Sequence, residues 1–153
     1  MNRYTIIIPT TFIGSHYETV RYLLGQLTTR SVAFTEDDYR QLIATANSRL
    51  LLLCYDDIVV GMLTLGKYYS PTGCKAWIED VVVDSSERGK GYGKGLLKQL
   101  ARIAVERGCG RLEWSCLDWN KPSIDFYLSL GAEPMEEWTT YRVTGNTLRN
   151  MAQ

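Results

Sequence analysis

Asp84-Ser85-Ser86-Glu87-Arg88-Gly89-Lys90-Gly91-Tyr92-Gly93-Lys94-Gly95 gathers the groups that hold an anion. Glycines at 89, 91, 93 and 95 let successive backbone N–H groups crowd together, and Arg88, Lys90 and Lys94 add positive charge around them. The stretch follows a Val-rich run ending at Val83 and opens the amphipathic run Gly93–Arg107, whose apolar face is Leu96, Leu97, Leu100, Ala101 and Ala104. The glycines therefore sit where a strand hands over to a helix. The orphan amides and the dipole at a helix start favour a negative group there. Two familiar nucleotide loops do not fit. A GxGxxG reading needs glycine three residues after its second glycine, and those positions are Lys94 and Leu96. A Walker loop needs Gly-Lys followed by Ser or Thr, and here each Gly-Lys is followed by glycine.

This basic cluster is local. Seventeen Lys and Arg balance seventeen Asp and Glu, so no global field draws the chain to nucleic acid or an anionic membrane surface. Cys54, Cys74, Cys109 and Cys116 form no CxxC pair and His16 is the single histidine, so no metal site is expected. The four thiols read as reduced cysteines packed in the interior of a cytoplasmic protein. No run approaches the roughly 20 apolar residues of a membrane span, and Met1–Pro9 lacks the pattern of a signal peptide.

The elements that must position the loop are legible from periodicity. A strand is expected over Tyr4–Ile8, then a helix capped by Ser15 with Val20, Leu23, Leu24 and Leu27 inward. Thr35 caps a second helix with Glu36, Asp37 and Asp38 in its first turn. Leu50–Tyr55 and Ile58–Leu65 flank Asp56-Asp57 as a tight hairpin, and Ala76–Val83 is a further strand. After the helix from Gly93, a strand over Arg111–Leu117, a helix over Lys121–Leu130 and a last strand over Glu137–Val143 complete the chain. Antiparallel strands first and alternating elements later predict one α/β domain over residues 1–153, a mixed, mostly antiparallel sheet with helices on both faces.

Arg88-x-x-Gly91-x-Gly93 between strand and helix resembles the pyrophosphate-binding motif of GNAT acetyltransferases. Leu112–Ala132 is similar to the second GNAT signature block, and Trp119–Tyr127 with Tyr141-Arg142-Val143 and Leu148–Ala152 is closest to the diamine (spermidine/spermine-type) branch. The resemblance implies an acetyl-CoA-dependent N-acetyltransferase acting on a primary amine of a small molecule, polyamine or amino-acid-like. It also implies two central strands, here Ala76–Val83 and Arg111–Leu117, that splay apart to admit the pantetheine arm against the backbone of Val81, Val82 and Val83. Arg88, Gly89, Lys90, Gly91, Tyr92, Gly93 and Lys94 would hold the diphosphate, and Asn120 and Ser123 would touch the cofactor. Asn120 also reads as the N-cap of the helix ahead of Lys121 and Pro122. The diamine branch is dimeric, which implies a homodimer.

The chemistry requires a neutral amine, a stabilised carbonyl oxygen and a proton for the departing sulfur. An alkylammonium near pKa 10.4 costs about 4–5 kcal/mol to deprotonate at neutral pH, a cost that a general base helps recover. By resemblance that base is Glu79, with a backbone N–H near Val81 at the carbonyl oxygen and Tyr127 as general acid. From residue type alone, Glu79 also reads as a solvated or ion-paired strand acid and Tyr127 as a core aromatic beside Ile124 and Leu128. Asp80 is expected on the opposite face of the strand from Glu79. Two other readings fit the same scaffold: a non-catalytic acyl-CoA sensor, and an acetyltransferase of protein N-termini or lysines.

Overall fold

The computed structural model describes residues 3–153. The chain divides into two compact units, one ending at Ser115 and the other running from Cys116 to Gln153. The first holds β1 (Tyr4–Ile7), α1 (Gly14–Leu27), α2 (Glu36–Ala44), β2 (Ser48–Tyr55), β3 (Ile58–Ser70), β4 (Gly73–Val83), α3 (Tyr92–Glu106) and β5 (Arg111–Trp114). The second holds α4 (Lys121–Ser129) and α5 (Gly145–Met151).

The five strands form one sheet in the order β1-β2-β3-β4-β5, antiparallel throughout except for the parallel pair β4–β5. This is the mixed, mostly antiparallel sheet expected from the sequence. Asp56 and Asp57 both take positive φ, 48° and 63°, in the two-residue turn between β2 and β3. A turn of that kind follows the right-handed twist of its strands. The next hairpin is tighter than expected. Ser70 pairs directly with Gly73, so Pro71-Thr72 is the whole connection and both strands extend toward it.

Strand alternation sorts the core between two faces. Leu50, Leu52, Met62 and Val82 join Tyr17, Val20 and Leu23 of α1 and Tyr39 of α2 in one apolar cluster. Gly61 points to the other face, where a methyl would meet Leu96 of α3 at 3.5 Å, so α3 covers the opposite side. Leu96 and Leu100 are fully buried there. Thr35 caps α2 with a reciprocal box: its hydroxyl oxygen accepts from the Asp38 N–H, and the Asp38 carboxylate accepts from the Thr35 N–H at 2.8 Å. The Thr35 N–H and the Thr35 hydroxyl, both donating to the Asp38 carboxylate at 2.8 Å, hold that carboxyl below its ordinary pKa.

Three expectations are corrected. Helix α1 begins at Gly14 with Ile13 at the cap, and Ser15 lies inside the first turn, where its carbonyl accepts from Thr19 Oγ1. Strand β5 stops at Trp114 rather than Leu117. Glu137–Val143 is not a strand: no described strand pairs with it, and Trp138 and Tyr141 are 77% and 91% exposed. Alternating residues make a strand only where a ladder is available to take the backbone groups. Among the described residues no helix is long and apolar enough to cross a membrane.

Candidate active site

The glycine-rich loop between β4 and α3 is built as its glycines require. A short 3₁₀ turn over Ser85–Glu87 follows β4, capped by Asp84, whose carboxylate accepts from the Ser86 N–H. That hydrogen bond holds the Asp84 carboxyl low. Gln26 of α1 braces the turn by accepting from the Ser85 N–H at 2.9 Å. Gly89 and Gly91 take φ of 79° and 84°, and nothing lies within 4 Å of where their Cβ atoms would sit. Gly91 is the cap residue of α3, and no side chain takes its place in capping the helix.

The first intrahelical bond runs from Gly95 N–H to Gly91 C=O, so the amides of Tyr92, Gly93 and Lys94 precede every helical acceptor. Donors, left-handed glycines and open space make a cradle suited to a diphosphate. Its cations are not equivalent. Arg88 Nε donates to the Val83 carbonyl at 3.1 Å, and Lys90 is paired with Glu87 at 2.5 Å. Lys94 is exposed in the first turn of α3. Tyr92 contributes only backbone: its ring is buried, edge-on to Tyr4 and tilted against Tyr55. Gly95 is likewise a packing residue, since a methyl there would overlap the Tyr4 ring.

β4 presents an edge beside this cradle. Its parallel ladder with β5 covers only Lys75 to Ile78, so Glu79–Val83 has no strand on that side among the described residues. Asp84 N–H donates to the Val60 carbonyl of β3. By strand alternation Val82 then also faces β3, while Val81 and Val83 turn their backbone groups outward. Arg88 occupies the Val83 carbonyl from that side. Val81 and Val83 are thus the two valines whose N–H groups face an incoming group.

A bulge reshapes the acids. Thr64 pairs with Asp80 but Leu65 pairs with Ile78, so Glu79 is an extra residue opposite no partner. Asp80 shares the face of Thr64, whose hydroxyl donates to its carboxylate at 2.7 Å. Trp77, opposite Gly66, lies on that same face, and its Nε1–H donates to Glu79 Oε2 at 3.1 Å. Glu79 and Asp80 therefore line one side of the sheet, contrary to simple alternation. Trp77 and Thr64, which orient the two carboxylates, carry no signal in the sequence that would single them out.

In the second unit, Asn120 caps α4 by accepting from the Ser123 N–H, so both readings of Asn120 remain compatible and the capping one is visible. Pro122 sits in the first turn, where its missing N–H costs nothing. Tyr127 lies half-buried on the same helix, against the Phe126 ring at 5.6 Å. Burial, with a smaller contribution from Cys116, pushes its hydroxyl pKa up. The group holds its proton throughout the neutral range.

Residues 18–132 match the acetyltransferase (GNAT) family model, a stretch that runs across the boundary between the two units. A thialysine N-epsilon-acetyltransferase of Sus scrofa is 35% identical over 98 residues, covering 60% of this chain and 58% of that protein. An L-ornithine N5-acetyltransferase of Arabidopsis thaliana is 44% identical over 73 residues, covering 48% of this chain and 32% of that protein. The matched region thus spans about half of the length of these relatives or less. An integron cassette protein of V. cholerae superposes with a TM-score of 0.74 at 28% identity, covering 100% of this chain and 99% of that one.

Proposed function

The chain belongs to the acetyltransferase (GNAT) family, and from that premise we propose that residues 1–153 act as one domain transferring acetyl from acetyl-CoA to a primary amine of a small molecule. The observation that carries this reading is the cradle at the start of α3, with unpartnered helix amides and glycines whose missing Cβ atoms leave open space, next to the uncovered edge of β4. The relatives' names, thialysine and ornithine acetyltransferase, favour an amino-acid-like acceptor bearing a side-chain amine over a polyamine.

Acetyl-CoA would supply the acyl group as a thioester. The amides of Tyr92, Gly93 and Lys94 hold the diphosphate, with Arg88, Lys90 and Lys94 adding charge and the Val81 N–H directed at the carbonyl oxygen. Glu79, oriented by Trp77, receives the proton of the attacking amine directly or through water. Asp80 on the same face adds negative charge that draws a cationic acceptor in. Tyr127 gives its proton to the departing sulfur.

Acetyl-CoA at 100 times its Kd should raise the melting temperature by about 5–10 °C, because a ligand selective for the folded state stabilises by mass action. Adenosine, lacking the diphosphate, should shift it far less. Equal shifts measured by differential scanning fluorimetry would overturn the cradle. Turnover is then read by thiol release across a panel of lysine-like, ornithine-like and polyamine acceptors. Glu79→Gln should move the acid limb of the kcat/KM profile and be partly rescued at high pH, where more amine is already neutral. A variant with the unaltered profile would remove Glu79 from the role of base.

A further inference from the structure

Two of the four cysteines are not isolated interior thiols. Cys74 is the second residue of β4 and Cys109 sits in the turn between α3 and β5, 35 positions away, yet their Sγ atoms lie 2.7 Å apart. Both are only partly buried. The backbone fixes this approach. Gly110 N–H donates to the Cys74 carbonyl at 3.0 Å, and Cys109 N–H donates to the Ala104 carbonyl at the end of α3 at 2.9 Å. Lys75 and Arg111, one and two positions further along, begin the parallel ladder. The sulfurs already lie 2.7 Å apart, so only a small movement separates them from the roughly 2.05 Å of a disulfide bond.

We propose that Cys74 and Cys109 form a reversible modification site, a dithiol that small disulfides oxidise to an intramolecular disulfide. Burial and the hydrogen bond to Cys74 keep the proton on Cys109, while Lys67 and Arg107 lie close enough to offset negative charge in its neighbourhood. In this scheme Cys74 attacks first and Cys109 resolves. The Cys74 thiolate displaces one half of a small disulfide, forming a mixed disulfide and releasing one thiol. Cys109 then attacks Cys74 Sγ and expels the second thiol. Two protein S–H bonds and one S–S bond are consumed, and one S–S bond and two small thiols are formed. The protein is oxidised by two electrons and the small disulfide is reduced by two.

The closed loop, residues 74–109, contains all of β4 from its second residue, the anion cradle and all of α3. The link lies at the opposite end of β4 from Glu79–Val83. It is a staple on the scaffold of the cradle and blocks nothing in it. A cross-link across a loop of this length constrains the unfolded chain.

Equilibrating the full chain with glutathione disulfide tests this. The four titratable thiols of the denatured chain should fall to two, the mass should drop by two hydrogens, and a peptide map should join the segments holding Cys74 and Cys109. The melting temperature should rise by about 5–10 °C and return with dithiothreitol. Cys109→Ser should instead trap a stable mixed disulfide on Cys74. The map on the unaltered chain needs no variant to fold. Four thiols persisting under excess oxidant, a bond mapped to Cys54 or Cys116, or a mapped 74–109 bond without thermal stabilisation would each overturn the proposal.

Discussion

Tyr127→Phe is expected to lower kcat by about 10²–10⁴ while leaving acetyl-CoA binding unchanged, the pattern of a lost general acid. The substitution removes one hydroxyl and keeps the ring that packs beside Phe126, so the local fold of α4 should persist. Burial raises the pKa of this phenol above its ordinary value near 10. A group with a raised pKa stays protonated until the pH passes that higher value, so an active enzyme should show no basic limb from Tyr127 below about pH 10. Both readouts are accessible by steady-state kinetics on the best acceptor of the panel. Wild-type turnover in the phenylalanine variant would make Tyr127 a packing residue, and a basic limb near pH 8 would have to come from another group.

Gly91→Val should abolish the thermal shift given by acetyl-CoA. The wild-type shift expected under saturating ligand is about 5–10 °C, and a branched side chain at this cap fills the open space above the amides of α3. The substitution also carries a backbone penalty, because φ of 84° disfavours any residue with a Cβ. Gly108→Val separates the two effects. Gly108 has a similar φ of 70° and equally open surroundings, but it lies at the far end of α3. Both variants should lose intrinsic stability, of the order of 1–3 kcal/mol. Only Gly91→Val should lose its response to acetyl-CoA, and a retained response there would remove the cap from the binding site.

Most of the architecture was readable because local signals and tertiary structure agree. Thr35 with Asp38 marks a helix start that needs no distant partner, and the Asp56-Asp57 hairpin follows from turn chemistry. The glycine-rich turn was equally plain. Glycines at 89 and 91 are required by the positive φ they adopt, and that requirement is local. The misread Glu137–Val143 shows the converse. Its alternation is compatible with a strand, but hydrogen bonding to a neighbour is what makes one, and that information lies outside the segment.

The sequence by itself determined the order of the elements as far as α4, the position of the glycine-rich turn before α3 and its kinship with the GNAT motif, because each depends on residues within a few positions of one another. Only the tertiary structure decided the rest. The bulge that turns Glu79 and Asp80 to one face exists because β3 and β4 fall out of step by one residue, a property of two strands together. The release of Glu79–Val83 from a second partner comes from where β5 stops. Cys74 and Cys109, read as unrelated interior thiols, meet because a parallel strand and the turn after α3 return the chain to the start of β4. Contacts between residues far apart in the chain are set by strand register and crossover, and neither is written in local composition.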